Sequence, residues 1–348
     1  MSTKIIMKDI AADLGISIPT VHRALNGTGR VSKQTREKIV SRAVELGYKP
    51  PPLSRKPVSQ YRIAVICPDD AFYTKILHGA RVAAEEYGTE RILVDFLVSP
   101  DYKPEQHVDY LRQVLDSNVY DGVAVCPVHS MLMSPLIDAL VDKGVPVVTF
   151  NVDVQCKRLS YVGEDPLISG AYAAQLCSSI LPEGAKIVLL QSLSVTENLR
   201  LRIQGFETYV ENNPRLTVTG VCEFFEKIES AREIIRQLLL TAPVDAIYAT
   251  SMFGTIGAAQ VLAELDPKTR PLLIGHDFND DIKDFIEQSV LYGTLFQSPS
   301  RQGYGAVNML YKILDSPMPI RDSYPCTHLP IRLILKSNLY QNQECDLF

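Results

Sequence analysis

The 348-residue chain has few of the features that mark membrane, exported or metal-binding proteins. No run of twenty apolar residues occurs, so we expect no membrane span. No apolar signal region precedes Asp9, which argues against export. The seven cysteines form no C-x-x-C pair and the six histidines are scattered. We therefore expect reduced thiols in a cytoplasmic protein and no bound metal.

The sequence patterns of cofactor-dependent catalysis are also missing. The chain has no G-x-G-x-x-G, no G-x-x-x-x-G-K-S/T, and no Ser, His and Asp spacing that suggests a catalytic triad. We therefore expect no cofactor and no catalysis. An enzyme on an α/β fold stays as an alternative that a search for turnover would test.

The charges divide the chain into a basic N-terminal part and an acidic remainder. Residues 1–60 hold eleven lysines and arginines against four acids, a net charge of +7, while the remainder holds 24 bases and 36 acids, a net charge of −12. This asymmetry is typical of a protein that neutralises DNA phosphates with one end. The length predicts two or three domains.

Residues 7–27 have the pattern of two short helices joined by a tight turn. Gly15 can adopt the left-handed backbone that ends a helix, and Ser17 and Ser32 are placed to cap the helices that follow them. An ordinary helical hairpin shares this pattern, but the basic charge favours a helix-turn-helix that enters the major groove of DNA. The residues predicted to form its small core are Ile10, Ala11, Leu14, Val21, Leu25, Ile39, Ala43 and Leu46.

Residues 50–61 are predicted to be a linker between this head, residues 1–49, and a larger body. Pro50, Pro51, Pro52 and Pro57 favour an extended backbone. Pro57 also excludes a regular helix that would run through it.

The body, from residue 62, alternates apolar strand-like runs with amphipathic helical segments. Because the strands are apolar rather than alternating, they predict parallel sheets that helices cover on both faces. The expected fold is an all-α head and an α/β body with two doubly wound parallel-sheet lobes. The predicted strands are 63–67, 92–97, 123–126, 145–150, 187–190, 218–224, 246–249 and 272–274, and the predicted helical segments include 76–87, 105–115, 168–180 and 203–210.

Polar and aromatic residues follow these strands, where ligands of parallel α/β sheets bind. Carboxylates and amides can bond hydroxyls, and rings can pack on sugar faces, so the set favours a polyhydroxylated ligand. Each residue alone is about as consistent with capping the next helix. The groups are Asp69 to Tyr73, Asn151 with Asp153, Thr250 with Ser251, His276 with Asp277, and Gln297.

The chain resembles the lactose-repressor (LacI/GalR) family from about Lys8 to Leu339. The head resembles the DNA-binding signature of that family, and the body is similar to its effector domain, which is akin to ribose-type periplasmic binding proteins. The motifs are Lys8-Asp9-Ile10-Ala11, Gly15-Ile16-Ser17, Thr20-Val21-x-Arg23-x-Leu25-Asn26-Gly27, Val31-Ser32 and Leu46-Gly47-Tyr48-Lys49-Pro50.

The resemblance implies a transcriptional repressor that binds a pseudo-palindromic double-stranded operator as a homodimer. A transport-type sugar-binding protein is the alternative, which the basic head disfavours. Ile18, Pro19 and Arg23 would face base edges, with Arg23 contacting guanine. Phosphate contacts would come from Thr20, His22, Asn26, Ser32 and Lys33, and further DNA contacts from Ser17, Leu53 and Arg55.

The resemblance also implies a body of two discontinuous lobes with an effector between them. The lobes would be 62–161 with 294–324 and 162–293 with 325–340, followed by a tail at 341–348. The effector would be a sugar, a sugar acid or a polyol. Its binding residues would be Asp70, Phe72, Tyr73, Asn151, Asp153, Arg202, Phe225, Ser251, Asp277 and Gln297.

Three positions depart from the family pattern. His22 stands where the recognition helix usually has Ser, and Ile6 replaces the usual Thr cap of the first helix. Pro57 replaces the Leu that the hinge helix of the family wedges into the minor groove. We therefore expect the recognition helix to contribute more to recognition of the operator sequence than it does in other members of the family.

Overall fold

The computed structural model describes residues 7–26, 31–46, 60–100, 104–192, 197–225, 227–316 and 318–342. The chain divides into two units, a head up to Ser59 and a body from Gln60 onwards. This division falls within the proline-rich segment 50–61. Across these described ranges, every helix is too short or too polar to cross a membrane.

The head is a three-helix unit with a small apolar core. Gly15 has a φ of +66°, which ends the first helix as predicted. The Ser17 and Ser32 hydroxyls accept hydrogen bonds from the amides of Thr20 and Thr35, at 3.3 and 3.1 Å, so both caps are confirmed. The core contains Ile10, Ala11, Val21, Ala24, Ile39 and Ala43, with Leu14 and Leu46 against it. The helices are α1 (Met7–Leu14), α2 (Ile18–Asn26) and α3 (Lys33–Glu45).

The first lobe of the body contains a mostly buried parallel sheet. Its strand order is β11-β5-β4-β3-β1-β2. The elements in chain order are β1 (Tyr61–Asp69), α4 (Ala71–Tyr87), β2 (Ile92–Pro100), α5 (Pro104–Ser117), β3 (Gly122–Val125), α6 (Ser130–Asp142), β4 (Val147–Phe150) and β5 (Ser160–Gly163), and β11 (Thr327–His328) joins later.

The second lobe repeats this architecture with the strand order β12-β10-β9-β8-β6-β7, in which only β12 runs antiparallel to its neighbour. Its elements are α7 (Pro166–Ile180), β6 (Ala185–Ser192), α8 (Glu197–Asn212), β7 (Leu216–Phe224), α9 (Ile228–Thr241), β8 (Ala246–Ala249), α10 (Met252–Ala263), β9 (Leu272–His276), α11 (Asp280–Glu287), β10 (Gly293–Phe296) and β12 (Arg332–Leu335). Helix α12 (Pro299–Leu314) packs on the first lobe, and a 3-10 helix spans Lys336–Asn342. All eight predicted strands are present, and the two-sheet fold is confirmed.

The crossings between the lobes differ from the predicted boundaries. Strand β10 pairs with β9, so residues 294–296 belong to the second lobe and the chain crosses after Phe296. Strand β11 pairs with β5 in the first sheet, so the last crossing follows His328 rather than residue 324. These strands are four and two residues long, too short for their sheet membership to be read from an apolar pattern.

Glycines allow the helices of each lobe to pack backbone against backbone. A Cβ at Gly79 or Gly303 would lie 1.8 or 1.9 Å from a carbonyl oxygen across the α4–α12 contact. A Cβ at Gly170 or Gly205 would lie 1.9 or 2.1 Å from a carbonyl oxygen across the α7–α8 contact. The same close approach therefore occurs in both lobes, next to the crossings that join them.

Candidate functional site

A buried hydrogen-bond chain joins the carboxyl ends of the two sheets. The Tyr73 hydroxyl donates to Asn151 Oδ1 at 3.2 Å, and Asn151 Nδ2 donates to Gln297 Oε1 at 3.2 Å. Gln297 Nε2 then donates to Asp277 Oδ1 at 2.8 Å. All four residues were predicted to bind an effector, and the structure places them in one continuous network between the lobes.

Asn151 and Asp277 occupy matching positions in the two lobes. Each directly follows a strand, β4 or β9, and each has a left-handed backbone, with φ of 63° and 69°. Asn and Asp tolerate this conformation better than most residues. Burial raises the pKa of Asp277, while the charge on Arg202 and the bond from Gln297 oppose that rise. Each lobe therefore places one polar side chain at the end of a strand, and Gln297 hydrogen-bonds to both of these side chains.

Gln302 is a member of this network that the sequence did not indicate. It is fully buried on α12, where its Oε1 accepts from Asn151 Nδ2 at 3.1 Å and its Nε2 donates to the Gln297 carbonyl at 3.0 Å. Only the return of α12 to the first lobe brings Gln302 beside β4. A lone glutamine inside an amphipathic helix carries no sequence signal of that contact.

Arg202 is buried in the second lobe and is held by protein groups on several sides. Its Nε donates to Glu164 Oε1 at 2.7 Å, its Nη2 pairs with the same oxygen, and its Nη1 donates to the Thr250 carbonyl at 2.6 Å. Burial opposes the charge on Arg202, but Glu164 and Asp277 raise its pKa above the ordinary value. Arg202 therefore stays charged.

Glu164 is the second residue that sequence reasoning missed. It directly follows β5, its carboxylate accepts from Ser169 Oγ at 3.0 Å, and its side chain is 1% exposed. Burial raises the pKa of Glu164, with Arg202 opposing that rise. Its position after a strand was the available signal, but β5 itself was not predicted.

His276 is the last residue of β9 and lies in the core of the second lobe. Its Nε2 is 2.7 Å from the Tyr248 hydroxyl, and its side chain is fully buried. Burial lowers the pKa of His276 well below its ordinary value, and the charge on Arg202 lowers it further. His276 is therefore neutral at physiological pH.

The loop after β1 brings an acid and two rings to the cleft edge of the first lobe. Asp70 caps α4 by accepting from the amides of Phe72 and Tyr73, at 2.8 and 2.9 Å. Burial raises the pKa of Asp70, although these two bonds oppose that rise. Phe72 packs against the apolar cores of both lobes. Lys75, one turn further, donates to the Phe278 carbonyl of the second lobe at 2.9 Å.

The remaining predicted effector residues lie outside the buried chain. Ser251 is buried and caps α10, where its hydroxyl accepts from Gly254 N at 3.3 Å. Asp153 forms an ion pair with Arg158 rather than joining Asn151. The ring of Phe225 is 68% exposed on the second lobe. Four of the ten predicted residues therefore form the buried chain, while Asp153 and Phe225 lie at its periphery.

A cavity of about 550 Å³ that Asp153 helps to line opens between the lobes. The first lobe contributes Ser130, Ser134 and Asp153, and the second lobe contributes Glu197 and Leu201 from α8. Its volume is within the range of small-molecule sites. Asp153 therefore lines the space between the lobes although it is outside the hydrogen-bond chain.

The head presents α2 as an exposed polar surface. Ile18 is 47% exposed, Ser17 Oγ lies 2.8 Å from Thr20 Oγ1, and exposed Arg23 donates through Nε to the Pro19 carbonyl at 3.2 Å. Ser32 caps α3 on the same unit. The side chains of His22, Asn26 and Lys33, and residues Leu53 and Arg55, lie outside the described part of the chain.

The two units match two models of known protein families. Residues 63–317 match the periplasmic binding protein domain, and residues 6–51 match the bacterial regulatory proteins of the lacI family. The protein belongs to the lacI family. This lacI-family protein is therefore a DNA-binding transcriptional regulator whose body has the periplasmic-binding-protein fold, as the resemblance implied.

Individual relatives agree with this assignment. The HTH-type transcriptional regulator DegA of Bacillus subtilis is 25% identical over 69% of this chain and 71% of its own. The ribose operon repressor of Halalkalibacterium halodurans is 26% identical over 72% and 73%. The crystal structure of GanP, a glucose-galactose binding protein from Geobacillus stearothermophilus, matches with a TM-score of 0.72 and 24% identity over 81% and 99%. That last likeness shows the fold of the body of the lacI-family protein.

Proposed function

We propose that this regulator is a repressor whose operator affinity is controlled by a sugar, a sugar acid or a polyol bound between the lobes. The carrying observation is the polar chain from Tyr73 through Asn151 and Gln297 to Asp277, which has members on both lobes. A hydroxylated ligand that replaces these contacts interacts differently with the open and closed arrangements. Only such differential affinity can shift the equilibrium between them.

We assign the contacts to the effector to residues in and around this hydrogen-bond chain. Asp70, Asp277 and Asn151 supply oxygens and an amide for hydroxyls, and Phe72 supplies a ring for a sugar face. Ser251 and Asp153 extend the set, and Arg202 would contact the ligand if it exchanged its bond to Thr250. Phe225 would reach the ligand from the second lobe. The names of the ribose operon repressor and of GanP support a sugar.

A thermal-shift screen of the full chain against sugars, sugar acids and polyols identifies the effector, because a ligand that binds only the folded state raises its midpoint. We expect Asp277→Ala to abolish the response and leave operator binding intact. Asp142→Ala, which removes an exposed carboxylate from α6, is the control and keeps the response. A normal response of Asp277→Ala would remove Asp277 from the site.

We assign recognition of the operator bases chiefly to three residues of α2: Ile18, Pro19 and Arg23. Contacts to the DNA phosphates are assigned to Ser17, Thr20 and Ser32. His22, Asn26, Lys33, Leu53 and Arg55 complete the proposed contact set. An operator is first selected from random duplexes with the full chain. Arg23→Ala should then lose roughly 1–3 kcal/mol of discrimination between the selected and a scrambled duplex. Lys38→Ala, an exposed cation on α3, should weaken both duplexes alike, and an equal effect of the two variants would contradict the role of Arg23.

The regulator is proposed to act as a homodimer in the cytoplasm, by binding rather than by catalysis. A two-fold protein matches a pseudo-palindromic operator. Strands β2 and β7 each form an open edge of their sheet, with Leu93 and Val221 exposed on them. Sedimentation of the full chain tests this state: Leu93→Lys should shift it to the monomer, and an unchanged dimer would exclude the β2 edge.

A further inference from the structure

A second cavity lies at the end of the second lobe that faces away from the cleft. It has a volume of about 430 Å³ and forms where β9 and β10 begin and β12 ends, with Leu272, Tyr292 and Leu335 among its lining residues. The opposite end of β9 leads to Asp277 in the cleft. Five strand residues at roughly 3.3 Å each separate the two places by about 16 Å. We call this space the basic cavity, because Arg270 and Lys336 are among its lining residues. It is therefore distinct from the effector site.

Among the residues that the structure describes, two cations and no acid line the basic cavity. Arg270 and Lys336 are both lining residues, and neither Asp nor Glu is among them. Within the described ranges, neither cation lies within 4.0 Å of a carboxylate oxygen. Glu264 and Glu287 on the flanking elements pair instead with Arg236 and Lys283. The positive charge of the cavity is thus not neutralised by the described protein groups.

The backbone holds both cations at the cavity wall. Arg270 Nη2 donates to the Leu265 carbonyl at 3.1 Å, and Lys336 Nζ donates to the Glu287 carbonyl at 2.6 Å and to Ser289 Oγ at 3.0 Å. Arg270 Nε is buried and has no hydrogen-bond partner in the described part of the chain. A guanidinium carries five N–H donors, so Arg270 keeps donors for a ligand.

The rest of the cavity is apolar. Ile286, Val290 and Leu291 are buried beneath it, and the ring of Tyr292 is 43% exposed beside them. Arginine binds carboxylates and phosphates in a bidentate manner. An apolar floor with two cations at the wall fits a ligand with an anionic group on a compact apolar body.

We propose that the basic cavity is a second ligand site, which binds a small organic anion through Arg270 and Lys336. The proposed ligand carries a carboxylate or a phosphate monoester on an apolar body. The site is independent of the effector cleft, since none of its lining residues belongs to the polar chain around Asp277.

Isothermal titration of the full chain with phenyl phosphate tests the proposal, with benzoate as the carboxylate arm and benzyl alcohol as the neutral arm. We expect saturable binding of at least one anion and none of benzyl alcohol. Arg270→Gln should weaken anion binding at least tenfold. Lys268→Gln, an exposed cation outside the lining, is the matched control and should leave the affinity unchanged.

Two further variants keep the result interpretable. Ser337→Trp places a bulky ring at the exposed mouth of the cavity, leaves both cations in place, and should abolish binding even if Arg270→Gln folds poorly. Asp277→Ala should bind phenyl phosphate normally, which separates this site from the effector cleft. No binding of either anion to the wild type, or binding that both Arg270→Gln and Ser337→Trp retain, would overturn the proposal.

Discussion

The buried ion pair of Glu164 and Arg202 should contribute strongly to the free energy of unfolding. Both side chains are 1% exposed, and the pair anchors the end of β5 to α8. Glu164→Gln leaves the charge on Arg202 buried with only the Thr250 carbonyl and an amide as acceptors. Removing one partner of a buried pair costs about 3–5 kcal/mol in the free energy of unfolding.

The reciprocal variant should behave differently because a carboxyl can take up a proton. Burial already raises the pKa of Glu164, and Arg202→Met removes the charge that opposes this rise. Glu164 then becomes neutral at a higher pH, so the cost of Arg202→Met should shrink as the pH falls. The double variant removes both charges of the pair, so neither partner is left buried without the other. It should therefore be more stable than the sum of the single effects predicts, by about 2–3 kcal/mol.

Urea unfolding followed by far-ultraviolet circular dichroism measures these differences, since the chain has no tryptophan for fluorescence. The matched control is Asp142→Asn, which breaks an exposed pair with Lys157 and should cost no more than about 1 kcal/mol. If Glu164→Gln also costs less than about 1 kcal/mol and the single effects add, Glu164 does not hold Arg202 and the reasoning fails.

Three other predictions concern the body. His276 has a pKa well below its ordinary value, so the unfolded chain binds a proton below about pH 6.5 that the folded chain does not. The free energy of unfolding should therefore fall as the pH drops from 6.5 to 5, by up to about 2 kcal/mol more in the wild type than in His276→Gln. Urea unfolding at several pH values measures this difference. Equal slopes of the free energy of unfolding against pH in the two proteins would contradict the prediction. Gly303→Ala should cost at least about 1–3 kcal/mol in urea unfolding because its Cβ would meet the Ile76 carbonyl at 1.9 Å, whereas Gly220→Ala, with nothing within 4 Å, should not show a clash. Lys75→Met removes a bond across the cleft and should lower the free energy of unfolding by about 1–2 kcal/mol, and an unchanged midpoint would show that the bond does not hold the lobes.

Elements with a strong local signal could be predicted from the sequence. Gly15, Ser17 and Ser32 act through the backbone of their own turn, and the structure shows each in its predicted role. The eight predicted strands were apolar runs of three to seven residues between helical segments, which is a local pattern as well. Helix α4 began five residues before its predicted start because Asp70 caps it directly after β1.

Contacts made by the chain crossings could not be predicted from local patterns. Gln302 reaches Asn151 only because α12 returns to the first lobe, and Glu164 meets Arg202 across 38 residues of sequence. The sheet membership of β10 and β11 depends on the same crossings. The carboxylate of Asp153 forms an ion pair with the nearby Arg158. The sequence alone did not show whether this carboxylate would bind Arg158 or a ligand.

A hydroxylated ligand between the lobes is proposed to change the affinity of the head for operator DNA. The most direct measurement is the affinity of the full chain for its selected operator duplex, with and without the ligand from the thermal-shift screen, at fixed salt. We expect a change of at least about fivefold in the wild type and none in Asp277→Ala, with equal affinity of both proteins in the absence of ligand. An operator affinity that a bound ligand leaves unchanged in the wild type would contradict the claim.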